Sequence, residues 1–176
     1  ATTKIYTLSL HDALPILPQG IQISGGPAAE GWTIRKCGSD MSPGYYETFD
    51  GRTSILVTHP LDSSTGCSLT KEVEIPKDGT TALQLTVGRH PSGDWTLLVN
   101  ADDKTLLKKD INADTAPDRY TDIIVDLSAF AGRKVMLELV NQPNNWAWEA
   151  AYWDRIDIIT TPSPQPAAPE IGRAHV

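Results

Sequence analysis

The sequence predicts an all-β fold, an antiparallel β-sandwich of about eight or nine short strands with no substantial helix. Three observations predict it. Apolar and polar residues alternate with a period of two through most segments, which lines one face of a pleated strand with core residues. Turns rich in Gly, Pro and Asp recur about every ten residues. No stretch carries the roughly 3.6-residue period of an amphipathic helix over any length.

Taken in order, Gly31–Cys37 alternates Trp32 and Ile34 with Thr33 and Arg35. The Gly-, Ser- and Asp-rich stretch from Gly38 to Gly51 reads as a loop with Tyr45, Tyr46 and Phe49 embedded in it. Ser54–Thr58 is an apolar run stopped by His59-Pro60, which suits a buried strand. After the turn Leu61–Gly66, Cys67–Ile75 places Leu69, Val73 and Ile75 on one face, with Lys71 as an exception that suggests an edge or a strand end. Pro76–Gly79 is a turn. Ala82–Gly88 turns Leu83, Leu85 and Val87 inward, and Arg89–Asp94 is a polar connection. Trp95–Asn100 and Thr105–Ile111 form a hairpin around an acidic tip. Beyond the loop Asn112–Arg119, Tyr120–Leu127 points Ile123, Val125 and Leu127 to one side. Ser128–Arg133 has room for one helical turn, and Lys134–Val140 turns Val135, Leu137 and Leu139 inward. A Trp- and Asn-rich connection then leads into a last strand, Ala151–Thr160. Trp32 and Trp95 are assigned to the core.

The two ends stand apart. Tyr6–Ile16 (YTLSLHDALPI) and Glu170–Val176 (EIGRAHV) read as translated sequencing-adapter sequence and are set aside, as scars of this kind carry no fold information. Residues 1–16 are therefore a non-native or uncertain segment, 17–160 a single sandwich domain, 161–169 a Pro-rich extended linker and 170–176 an adapter-derived tail. The domain reads as one unit of a longer multidomain protein.

The formal net charge is −7, and the set-aside ends contribute nothing to it, since Lys4 offsets Asp12 and Arg173 offsets Glu170. An acidic domain is a poor non-specific nucleic-acid binder, because that role needs clustered Lys and Arg against phosphate. No apolar run approaches the length of a membrane-spanning helix. Cys37 and Cys67 lack CxxC spacing and a neighbouring histidine, which disfavours metal. They are either one bridge, worth about 3–4 kcal/mol by loop entropy, or two unrelated thiols.

The segment YTDIIVDLSAFAGRKVMLELVNQ followed by WEAAYWDRIDI, over Tyr120–Ile158, resembles the closing strands of galactose-binding-like jelly-roll domains of the carbohydrate-binding-module type. The resemblance implies a jelly-roll sandwich, an extracytoplasmic or secreted setting and a glycan or polysaccharide partner. It also leaves room for a structural calcium held between an early loop and the last strand, with Asp154 or Asp157 as ligands alongside Asp40, Glu47 or Asp50. No cofactor is required.

A flat indole matches the C–H face of a sugar ring, and nearby amides and carboxylates read its hydroxyls. Trp146, Trp148 and Trp153, with Asn144, Asn145 and Glu149, supply that combination within one connection. Arg89 and His90 join them as hydroxyl-binding candidates from a neighbouring loop. With Ile156 and Ile158 in the core, strict alternation puts Tyr152 and Asp154 inside and Trp153, Arg155 and Asp157 outside, unless a β-bulge intervenes.

Catalytic signatures are missing: there is no G-x-S-x-G, H-E-x-x-H, phosphate loop or dinucleotide fingerprint. The expected function is a non-catalytic carbohydrate-binding module, in contact with neighbouring domains of its own chain and not inserted in a membrane. The alternative is a sandwich domain for protein–protein contact, or a structural accessory domain of a larger enzyme or cell-surface protein.

Overall fold

Strand-forming sequence with turns at short intervals gives antiparallel hairpins, and a sheet with one apolar face has to cover it with another. A computed structural model describes residues 19–169 and Gly172, and it shows that outcome. The readings of residues 1–16 and of the 170–176 tail lie outside the described residues, Gly172 excepted.

Ten strands run β1 (Thr33–Arg35), β2 (Gly44–Phe49), β3 (Arg52–Thr58), β4 (Cys67–Glu74), β5 (Thr80–Arg89), β6 (Trp95–Ala101), β7 (Lys104–Ile111), β8 (Tyr120–Asp126), β9 (Lys134–Gln142) and β10 (Ala151–Thr161). Two antiparallel five-stranded sheets result, in the orders β1-β4-β9-β6-β7 and β2-β3-β10-β5-β8. Single 3-10 turns at Gly26–Ala29 and Ser128–Phe130 are the helical elements of the described residues. The core between the sheets holds the residues that the alternation turned inward, among them Leu69, Leu83, Leu85, Val87, Val135, Leu137 and Leu139. Trp95 lies wholly inside and Trp32 packs against the core from its margin.

Three features depart from the pattern. The stretch Gly38–Gly51 is not all loop: β2 forms within it and pairs with β3 in register Tyr45↔Leu56 and Tyr46↔Ile55. Its hairpin folds back over the outer face of its own sheet. There Phe49 packs edge-on to Tyr152 with centroids 4.9 Å apart, and Arg52 lies 3.8 Å from the Tyr120 ring centroid. Asp50 at the tip reaches Arg119 at 2.8 Å. A second apolar cluster, built on Ile55, Val57, Ala150 and Tyr152, fills the space beneath.

The last strand changes phase. β10 pairs Trp153 with Val87 but Arg155 with Thr86, so Asp154 is an extra residue, a β-bulge. Below it, Ile156 and Ile158 face the core as alternation requires. Above it the phase is reversed: Trp153 is in the core and Tyr152 faces the opposite side. Trp153 is therefore corrected from a ligand candidate to a core residue at 0% exposure, its indole N–H donating to Thr58 Oγ1 at 2.9 Å.

Cys37 and Cys67 are bonded, with Cα atoms 4.4 Å apart, so the bridged reading holds. The bond fastens the segment after β1 to the first residue of β4. Because β1 pairs only with Ser68–Thr70, β4 becomes an edge strand from Lys71 onward on that side. That accounts for a lysine on an otherwise apolar face.

Candidate functional site

The connection Pro143–Ala150 crosses from β9 in one sheet to β10 in the other, and its shape is set from inside by Glu149. This carboxylate is 1% exposed. It accepts the backbone N–H groups of Asn144 (3.2 Å), Asn145 (3.0 Å) and Ala147 (3.2 Å). A buried carboxylate is tolerated where donors converge on it, and three backbone amides do so here. Glu149 is thus the internal brace of the loop and has no face left for a ligand, which corrects its assignment as a hydroxyl-binding group.

Asn145 is also largely committed. Its Oδ1 accepts the Ala147 N–H at 2.9 Å and its Nδ2 donates to Asp94 at 2.9 Å, tying this loop to the β5–β6 connection. The same two loops meet at Gly93, where a Cβ would collide with the carbonyl of Trp148. Asn144 is exposed, and among the described residues its side-chain amide makes no hydrogen bond, so it remains a candidate.

Braced in this way, the loop holds both tryptophans in left-handed backbone conformation, φ +58° at Trp146 and +55° at Trp148. That region costs a bulky residue about 1–3 kcal/mol, and it persists where the surroundings over-determine it. The result is that two large indoles project outward, Trp146 at 42% exposure and Trp148 at 54%. Each stands against a histidine. The Trp146 ring meets His59 edge-on, centroids 5.2 Å apart. The Trp148 ring lies parallel on His90 at 4.5 Å, with 8° between the planes. His59 is buried at the end of β3, its Nδ1 donating to the Pro60 carbonyl at 2.9 Å. His90 is half-buried, and its Nδ1 accepts the Ser92 N–H at 3.1 Å. Burial pushes the His90 imidazolium pKa down, the charge of Arg119 adds to this, and Asp50 opposes it.

Arg89, the other candidate from this end, is buried. Its Nε donates to the Ala116 carbonyl at 3.1 Å, and its Nη1 donates to the carbonyls of His90 at 3.3 Å and Pro91 at 3.2 Å. It ties two loops together from beneath, the one after β5 and the one before β8, and spends Nε and Nη1 on their carbonyls. The sequence reading missed His59, whose place under Trp146 needs the fold to be seen. It also missed Asp94, whose bond to Asn145 joins the two loops.

Three of the carboxylates named for calcium are held in ion pairs. Asp154 is paired with Arg52 at 2.6 Å and Asp157 with Arg155 at 2.7 Å. Asp50 is paired with Arg119. No group of three or more His, Cys, Asp or Glu among the described residues is placed to hold a metal ion. A cleft of about 580 Å³ lies elsewhere, between the Gly26–Ala29 turn and β10, lined by Trp32, Glu30 and Lys71 among others. It contains neither platform tryptophan.

Among solved structures, the cleaved K3 adhesin domain of Lys-gingipain from Porphyromonas gingivalis aligns with TM-score 0.51 and 14% identity, over 75% of this chain and 92% of that one. A family 35 carbohydrate binding module from Clostridium thermocellum aligns with TM-score 0.50 and 12% identity, over 76% and 95%. The CBM22-1 xylan-binding domain from Paenibacillus barcinonensis aligns with TM-score 0.50 and 14% identity, over 76% and 88%. The fold is a β-sandwich that these adhesin and carbohydrate-binding domains share. At these identities the likeness concerns fold alone, and the same fold serves unrelated functions. Structures of a cyclase from Fischerella sp. also align, at TM-scores of 0.47 and 0.48 that support no argument. No family model and no curated protein matches the sequence.

Proposed function

We propose that the chain is a non-catalytic glycan-binding module whose contact surface is the pair Trp146 and Trp148. The observation that carries this is the strained, internally braced loop. A carboxylate, an asparagine and the approach of Gly93 hold two exposed indoles in an unfavourable backbone conformation. Backbone strain kept at an exposed site indicates a surface arranged before its ligand arrives. Rigid aromatics cost little ordering entropy on binding. His90 covers one face of Trp148 and leaves the other for a sugar ring, and the exposed Asn144 of the same loop supplies an amide for its hydroxyls.

A binding role fits the acidic side chains better than a catalytic one. Glu149 is spent on backbone amides, Asp94 accepts from Asn145 and Asp50 pairs with Arg119. Two of the fold neighbours are named as carbohydrate or xylan binders, which favours the glycan reading. The disulfide favours an oxidising, extracytoplasmic setting. No helix among the described residues is long and apolar enough to cross a membrane.

A second reading is protein–protein contact, favoured by the likeness to an adhesin domain and by the weight that exposed tryptophans carry as interface anchors. Retention on immobilised xylan, cellulose, mannan and galactan separates the two. The glycan reading expects retention on at least one, with a loss of tenfold or more in W146A or W148A and an unchanged melting curve. It fails if no polysaccharide retains the protein, or if both alanine variants are retained like the parent.

A further inference from the structure

The two exposed tryptophans sit on histidines contributed by the ends of β3 and β5, and the two pairs differ in chemistry. His59 uses Nδ1 as a donor. His90 uses Nδ1 as an acceptor, for the Ser92 N–H, and only a neutral ring can do that. The plane in which His90 is held by this bond is the plane on which Trp148 lies, 8° from parallel. We propose that His90 is the positioning residue of the glycan platform and makes it acid-sensitive: protonation of its ring unseats Trp148. The inference rests on the platform reading given above.

A proton arriving on Nδ1 sets an N–H against the Ser92 N–H, two donors across a 3.1 Å gap. The ring has to turn to separate them, and turning ends the parallel stack. Attraction between an imidazolium and an indole face opposes this. Against that attraction stand the desolvation of the ring and the like charge of Arg119. The groups that bear on the ring leave little to counter them. Asp50, the one opposing charge, is engaged by Arg119. Arg89 holds the His90 carbonyl through Nη1. Asp94 and Glu149 in the adjoining loops are committed to Asn145 and to backbone amides. The neutral ring is therefore favoured in the folded protein. The seat is intact above the ordinary histidine value of 6.5 and is lost as pH falls through the lowered value of His90.

Acrylamide quenching of tryptophan fluorescence tests this without any glycan. In W146F, made throughout in a W32F background because Trp32 is only partly buried, the exposed emission comes from Trp148, since Trp95 and Trp153 are fully buried. The expected result is a rise in the quenching constant of about twofold between pH 8 and pH 5, following one proton. The rise should be absent in W146F/H90F, whose phenyl ring stacks but does not titrate. H90N, which can accept the Ser92 N–H without titrating, is the second control should the phenylalanine variant fold poorly. A flat profile in W146F, or the same rise in both control variants, overturns the proposal. Retention on xylan over the same pH range gives the coupled readout: it should fall with acid in the parent and stay level in H90F. If no glycan is retained at any pH, the platform reading fails while quenching still decides the role of His90.

Discussion

Replacing Glu149 by glutamine changes one oxygen to an amide group at the point where three backbone N–H groups converge. Glutamine keeps one acceptor. The new NH2 group faces a backbone donor, so one bond is lost outright, and the remaining bonds lose their ionic assistance. Hydrogen bonds to a charged group contribute about 1.5–3 kcal/mol each, and neutral ones about 0.5–1.5 kcal/mol. Losing one and weakening the others lowers the local stability of the loop by about 2–4 kcal/mol. At about 1.4 kcal/mol per factor of ten, that is a 30- to 1000-fold rise in the opening equilibrium. Amide hydrogen exchange reads it directly, at Asn145 and Ala147, with the β5 amide of Leu85 as an internal control. The expected pattern is fast exchange confined to the loop, with the β5 amide unchanged. A change of less than threefold at both loop amides would refute the idea that Glu149 sets the loop's shape, and with it the argument for a surface arranged in advance.

Other consequences are as specific. Thr58 Oγ1 accepts from Asn141 Nδ2 and Trp153 Nε1, all three residues buried, so Thr58→Val strands two donors. It should cost about 2–5 kcal/mol in urea unfolding, and a loss under 1 kcal/mol would show that the two donors find other partners. Reducing the Cys37–Cys67 bond, which spans 30 residues, should lower stability by about 3–4 kcal/mol. Equal melting curves with and without reductant would contradict that. Burial and the Asp50 carboxylate hold the Tyr120 phenol above its usual range, and burial does the same for Tyr152. Their neutral forms stabilise the fold fully below pH 10, and this contribution is lost as pH rises above it. Y120F should therefore lose less stability between pH 9 and pH 11 than the parent. The difference should be of order 1 kcal/mol or less, given the partial exposure; identical alkaline profiles would count against the assignment.

Much of the sandwich was legible because its physics is local. A strand with one buried face has to alternate, so Leu83, Leu85 and Val87, or Val135, Leu137 and Leu139, could be assigned to the core from spacing alone. β2 was not, because Tyr45 and Tyr46 sit among Gly, Ser and Pro. The left-handed turns at Met41, Ser42 and Asp50 that shape this stretch have no reliable sequence signature. Of the candidate site, Trp146 and Trp148 were readable as exposed aromatics in a polar connection. The residues that hold them were readable only as polar. Glu149 and Arg89 looked like hydroxyl binders because the sequence does not show which way a carboxylate or guanidinium points. Their partners are carbonyls and amides of the main chain, which are present at every position and mark none. Trp153 depended on the bulge, and the bulge follows from how β3 and β5 meet β10.

That bulge works as a frameshift within a single strand. On one side of Asp154 the strand is read in a frame that sends Trp153 inward and leaves Tyr152 for the outer cluster. On the other side it is read in the frame set by Ile156 and Ile158. One added residue lets a continuous strand satisfy two surroundings that no fixed alternation could serve together. Deleting Asp154 would put both halves in one frame, and either the indole or the two isoleucines would then have to face water. The end that displays the tryptophans and the end that leads to the Pro-rich continuation thus keep separate reading frames, joined at one aspartate.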